Sequence, residues 1–303
     1  METQKNVQTN PGNDPAIKTP SGAKVILVEI LKDKMALSSA ILLLLIAAFV
    51  FGVSIILDQD QIVTVDLLAI FEPPSSQYWL GTDHGGRDVF GQLIIGTRNS
   101  LLIGIAVTAL SGLVGLAMGL IAGYFGGHTD NVVMRIVDFF LVLPTTMIII
   151  AFVAVVPNYS LLQFTLIMSA FIWISMARLV RSKALQQSEL EYIQAARTLG
   201  TPHYKIIFSH LLPNLSSIII VNLTLSLAAN IGIETGLSFL GFGFPESTPS
   251  LGTLMSHATN PQIFELRPWV WLPASILVLV LMLCINNVGQ ALKRSTDAKQ
   301  RRG

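Results

Sequence analysis

The sequence predicts an all-α, polytopic membrane protein with six transmembrane helices and both termini in the cytoplasm. Three observations lead there. The 303 residues are 52% hydrophobic and only 12% charged, about half the charge of an ordinary soluble domain. Mean hydropathy is +0.64. The apolar residues gather in six runs, each close to the roughly 20 helical residues that cross a hydrocarbon core.

The first run, residues 36–57, carries no charge and follows a polar tail. It exceeds the 7–15-residue apolar core of a secretory signal and is read as a retained helix. The second run, 101–125, is also uncharged. The third, 132–156, contains Arg135 and Asp138 near its start and Pro144 in its middle. The fourth spans 161–177, the fifth 214–233 and ends at Glu234, and the sixth 269–288. A barrel would instead show alternating segments of about 10 residues.

Orientation follows from the bases, which favour the cytoplasmic side. With the N-terminus inside, only Arg87, Arg98 and Arg267 of the 19 basic residues fall outside. The net charge of +1 carries no dominant basic footprint, so no nucleic-acid partner is expected. The lone Cys284 has no disulfide partner in the chain.

The chain lacks a Walker-type nucleotide loop and a Gly-x-Ser-x-Gly elbow. Its five histidines, His84, His128, His203, His210 and His257, are scattered, so no metal site and no catalytic residue are assigned. Asp83-His84 with Ser100 reads as a polar loop rather than a hydrolase set.

Small residues recur four apart in the second run: Ser111, Gly115, Gly119 and Gly123, with Gly104, Thr108 and Gly112 on a neighbouring stripe. That register stacks bare backbone on one face, a surface for close helix packing. Arg135 and Asp138, one turn apart, are expected to pair with each other. Glu234 is either a hydrated helix end or a residue lining a pathway.

The hydrophilic segment 178–213 is the largest between spans on the inner side. Ser188 with Glu191 reads as a capping box starting a helix through Gln194-Ala195-Ala196-Arg197. Gly200 permits a reversal at positive φ, and Thr201-Pro202 restarts a second short helix through Phe208 before Pro213 marks entry to the fifth span. Such a helix–turn–helix presents a small-residue surface to another protein; an amphipathic interfacial loop is the plainer reading.

Gln194-Ala195-Ala196, then Gly200, then His210-Leu211-Leu212-Pro213 resembles the EAA loop of ABC-importer permeases, where the usual first Glu is here Gln194. Gly81-Thr82-Asp83-His84-Gly85-Gly86-Arg87-Asp88 and Gly96-Thr97-Arg98-Asn99-Ser100 are similar to the segment before the second span of dipeptide and oligopeptide permeases. Gly236-Leu237-Ser238-Phe239-Leu240-Gly241, with Pro249-Ser250-Leu251-Gly252, is similar to the stretch after their fifth span. Together these resemble the C-type permease subunit of peptide importers.

The resemblance implies a type I ABC-importer permease fold in the bacterial plasma membrane. The tail over 1–35 and the first helix at 36–57 rest on hydropathy alone; an extracellular segment at 58–100, a core permease domain over 101–292 and a C-terminal tail over 293–303 complete the expected organisation. Within the core, 178–213 is the coupling loop and 236–268 an extracellular loop. Gln194, Ala195, Ala196, Arg197, Gly200, His210, Leu212 and Pro213 are the implied ATPase-coupling residues. The implied partners are a homologous B-type permease, two cytoplasmic ABC ATPases holding ATP and Mg²⁺, a peptide-binding protein outside, and membrane lipid. The chain itself is expected to bind no cofactor and to be no enzyme. Importers of nickel chelates, an opine or another small solute share the family; a secondary carrier or a membrane receptor would need no docking loop of this form.

Overall fold

A computed structural model of the chain describes residues 33–156, 159–245 and 248–300, so most of the 1–35 tail lies outside the described residues. Among those described, the chain is helical and no strand is present beyond one isolated bridge between Thr82 and Asp88. Helix α1 (Lys34–Ile56) is followed by a short α2 (Gln59–Val63) and the long α3 (Val89–Phe125). Then come α4 (Gly127–Val142), α5 (Thr145–Val155), α6 (Leu161–Ile172), α7 (Ile174–Ser188), α8 (Glu191–Thr198) and α9 (His203–Ile206). A π-turn (Ile207–Leu211) leads into α10 (Leu212–Phe239), and α11 (Leu251–Ser256), α12 (Pro261–Leu266) and α13 (Pro268–Gln300) complete the chain.

Among the described residues, four helical stretches are long and apolar enough to cross a membrane: α1, α3, α9 through α10, and α13. The other two expected spans are bent pairs, α4 with α5 at 80° and α6 with α7 at 43°. The sharper bend has its cause at Pro144. The residue before a proline is pushed out of the helical region, and Leu143 is extended at φ −89°, ψ 133°.

Boundaries differ from the hydropathy reading at both ends. Helix α3 begins at Val89, because Asp88 caps it by accepting from the Phe90 and Gly91 amides, so the end of the expected 58–100 segment is already helical. Helix α13 runs through Lys293 and Arg294 to Gln300, so the expected 293–303 tail starts as helix.

The expected Arg135–Asp138 pair is not formed. Asp138 instead meets Arg178 at 3.6 Å, while Asp130 takes a two-pronged contact from Arg181. Both acids of α4 therefore serve the α4–α7 junction.

The small-residue stripe is where α3 and α7 meet. A Cβ on Gly115, Gly119 or Gly123 would lie 2.6 Å from the carbonyl of Trp173, Ala177 or Arg181 respectively. The neighbouring stripe faces α10: Gly104 abuts Ile231, Gly112 abuts Leu223, and Asn230 Nδ2 donates to Thr108 Oγ1 at 2.8 Å. One glycine-rich helix thus packs against two partners through two registers of its own surface.

Candidate functional site

The 37 residues of α3 extend ~55 Å at 1.5 Å per residue. Its last turn carries Tyr124, which packs with the segment after α7. Ser188 is not the cap expected there. It remains the last residue of α7, buried, with its hydroxyl donating to the Leu185 carbonyl. The chain turns over Glu189 and Leu190, and α8 starts at Glu191 without a side-chain cap.

Gln194 holds that turn by donating from Nε2 to the Ser188 carbonyl at 2.9 Å. The neutral amide therefore performs a donor role that a glutamate at this position would lack.

Helix α8 ends as the sequence predicts. Gly200 has φ +76°, the Gly200 amide donates to the Arg197 carbonyl, and the Thr201 amide donates to the Ala196 carbonyl, both at 3.0 Å. This is a Schellman closure, which satisfies the last carbonyls of the helix and reverses the chain. A Cβ at Gly200 would meet nothing within 4 Å. Backbone conformation, not space, is what demands glycine there.

The hairpin is seated by its inward face. Ile193, Ile206 and Leu211 are fully buried with Leu120, Tyr124, Val180 and Ala184. Ala196 packs against this cluster while Ala195 is exposed. The two alanines thus face different ways, and only Ala195 offers its surface outward. Arg197 reaches back to α3: its guanidinium lies 4.3 Å from the Tyr124 ring centroid, and Nη2 donates to the Tyr124 carbonyl at 2.8 Å. The Tyr124 hydroxyl meets His203 Nδ1 at 2.8 Å, so both arms of the hairpin are tied to one tyrosine.

Pro213 does not interrupt the chain. A π-turn over Ile207–Leu211 leads directly into it, and α10 begins with proline in its first turn, where a missing amide costs least. His210 lies beside Tyr192, ring centroids 6.3 Å apart, and Leu212 packs on the buried cluster.

Three residues that the sequence reading passed over stand out on the free face. Leu199 is 85% exposed, Tyr204 68% and Phe208 64%. Leu199 and Tyr204 flank the Gly200 reversal and Phe208 follows in the π-turn, so the segment exposes large apolar side chains on both sides of the glycine. An apolar residue placed immediately before a C-cap glycine was the available signal.

The opposite end of the bundle is equally organised. Asn99 Nδ2 donates to the Pro249 carbonyl at 2.8 Å, and the Leu251 amide donates to Ser100 Oγ at 3.2 Å. Two motif blocks read separately in the sequence are therefore in contact. Glu234 lies beneath them, fully buried, accepting from Ser238 Oγ at 2.8 Å and from Thr235 Oγ1 at 3.5 Å. It is neither a hydrated helix end nor a residue open to a pathway in this conformation. The Ser/Thr hydroxyls around it supply the hydrogen bonds that a buried carboxyl requires. Ser100 Oγ accepts from the Leu251 amide and Asp83 Oδ1 from the Gly85 and Arg87 amides, the bonds of structural turns rather than of a hydrolase set.

Residues 115–298 match the Binding-protein-dependent transport system inner membrane component family. The chain belongs to that family. It is 43% identical over 273 residues to the oligopeptide transport system permease protein OppC of Lactococcus lactis subsp. cremoris, covering 90% of this chain and 93% of the relative. It is 38% identical to the OppC of Mycobacterium tuberculosis H37Rv, covering 89% and 92%. A chain of the MetNI methionine ABC transporter, captured in an inward-facing conformation, superposes with a TM-score of 0.53. That match is 20% identical and covers 68% of this chain and 97% of the other. The fold is that of an ABC-importer permease, and the protein is a multi-pass component of the bacterial plasma membrane.

Proposed function

We propose that this chain is the C-type permease subunit of an ATP-driven oligopeptide importer and forms the translocation pathway with a homologous B-type permease. The observation that carries the reading is the α8–Gly200–α9 hairpin, buried on one face and presenting exposed Leu199 and Tyr204 beside its reversal, in a relative of oligopeptide permeases. The exposed Leu199, Tyr204 and Phe208 suit the groove of a soluble ATPase, which would hold ATP and Mg²⁺. Ala195 adds a face with little bulk. On this reading the hairpin and both termini lie in the cytoplasm.

A binding protein delivers peptide at the far end of α3. ATP-driven closure of the paired ATPases pushes the hairpin, and the hairpin moves α3, α7 and α10 because it shares their core. This chain performs no covalent step. The test is reconstitution of the assembled importer in proteoliposomes. Labelled oligopeptide should accumulate only when binding protein and ATP are both supplied. Accumulation of another solute in place of peptide would contradict the substrate assignment, and accumulation without ATP would contradict the class.

A further inference from the structure

The end of the bundle remote from the hairpin brings together Asp83, His84 and His257. The first two sit in the turn before α3, and that turn is tightly fixed. Its Gly85 carbonyl accepts from the Asp66 amide at 2.9 Å, and its Asp83 carbonyl accepts from the Phe71 amide at 3.0 Å. Gly86 has φ +70°, and a Cβ there would lie 1.9 Å from the Asp66 carbonyl oxygen. Asp83 is fully buried. Its Oδ1 accepts from the Gly85 amide at 2.8 Å and the Arg87 amide at 3.0 Å, and its Oδ2 accepts from Gln92 Nε2 at 3.0 Å. Carboxylate oxygens offer about four acceptor positions, so Oδ2 keeps acceptor capacity beyond its bond to Gln92.

His257 comes from the far side of the sequence, opening the short turn after α11. Its ring centroid lies 4.9 Å from that of His84. One ligand atom from each of the three residues lies within 4.8 Å of the other two. Both imidazoles are half-buried and border a cavity of about 670 Å³ that Ser256, Thr259 and Asn260 also line.

We propose that Asp83, His84 and His257 form a binding site for a divalent first-row transition cation of the zinc class, with water from the cavity completing the coordination. Two imidazoles and one carboxylate suit such an ion, whereas Ca²⁺ or Mg²⁺ calls for a shell built from oxygen. Tetrahedral bonds of about 2.0–2.1 Å place ligand atoms roughly 3.3 Å apart. Metal binding therefore requires both imidazoles to turn toward Asp83 from the 4.8 Å spread seen here. The Gly85 and Arg87 amides and Gln92 orient that carboxylate, the outer support that metal-ligating groups need. A bound cation ties the turn at 81–88 to the segment 251–259, and so cross-links the two motif blocks above Glu234.

The inference is independent of what the importer carries. Its test uses the full chain in lipid nanodiscs, purified without a polyhistidine tag and titrated with Co²⁺ and then Zn²⁺. The site predicts one Co²⁺ per chain with visible ligand-field absorption, displaced by Zn²⁺, and a rise in melting temperature on binding. His257→Gln and His84→Gln should each weaken binding at least about ten-fold, while His128→Gln, on the exposed surface elsewhere, should not. If His84→Gln fails to fold, His257→Gln alone decides. Absence of saturable one-to-one binding, or binding unchanged in His257→Gln, would overturn the assignment.

Discussion

The Arg197 guanidinium covers the Tyr124 ring at 4.3 Å and bonds the Tyr124 carbonyl at 2.8 Å, joining the short helix α8 to the last turn of α3. An eight-residue helix is too short to hold itself together in water, so its orientation depends on such anchors. Arg197→Ala removes both contacts, a loss on the order of 2 kcal/mol for a partly buried cation–π contact and a charge-assisted hydrogen bond. Hydrogen exchange of residues 191–199 should accelerate about ten-fold or more, with α3 itself unchanged. Arg197→Lys should fall between, because a single ammonium lacks the planar fork that serves ring and carbonyl together.

Gly119 tests the helix junction. Its Cβ position lies 2.6 Å from the Ala177 carbonyl and 2.7 Å from Val180 Cβ. Gly119→Ala must push α3 and α7 apart, at about 1–3 kcal/mol for overpacking. Gly119→Leu should prevent a stable fold, read as loss of the monodisperse peak after detergent extraction. The same substitution at Gly52, where a Cβ would meet nothing within 4 Å, should be tolerated.

Much of this architecture was legible in the residues. Length and apolarity alone mark α1, α3 and α13, since a membrane leaves a 20-residue uncharged run few alternatives. The four-residue spacing of Gly115, Gly119 and Gly123 marks a close-packing face, and Gly200 marks a reversal. What hydropathy could not show was the partner. Asp138 chose Arg178 over its own neighbour Arg135, and Ser188 stayed in α7 because its hydroxyl found the Leu185 carbonyl. Glu234 read as either a hydrated helix end or a pathway residue because Ser100 and Ser250, which also hydrogen-bond it, are remote in sequence. His84 and His257 looked scattered for the same reason. Tertiary proximity, unlike periodicity, leaves no mark on a single sequence.

Topology is open to direct labelling. In a Cys284→Ser background, Ser76→Cys and Lys205→Cys both place thiols at exposed positions, at opposite ends of the bundle. An impermeant maleimide added to intact cells should label position 76 and spare position 205 until the membrane is opened. Labelling of 205 in intact cells would invert the orientation given by the basic residues.

Asp33 supplies a pH signature at the start of α1. Its carboxyl is held below the ordinary carboxylate range, first by the Ala36 amide and then by Arg294 of α13. A lowered folded pKa means the stabilisation is complete above the unfolded value of about 3.9 and fades as pH falls through the folded value. Melting of the wild-type chain in lipid should therefore drop more between pH 5 and pH 2 than melting of Asp33→Asn, which has no carboxyl to protonate. Equal drops would mean that the negative charge on Asp33 contributes nothing to stability.

The central claim is that the hairpin around Gly200 transmits ATP hydrolysis to the spans, and a coupling ratio tests it most directly. Gly200→Asp places a charged side chain at a positive φ that favours glycine, and Leu199→Asp replaces the exposed leucine beside it with a charge without touching the backbone. Each variant is assembled with its partner permease and ATPases in proteoliposomes, and peptide accumulated per ATP hydrolysed is measured. The account predicts chains that still reach the membrane while the ratio collapses at least ten-fold in both variants, through released ATPases or through idle hydrolysis. Wild-type ratios and rates in both would contradict it.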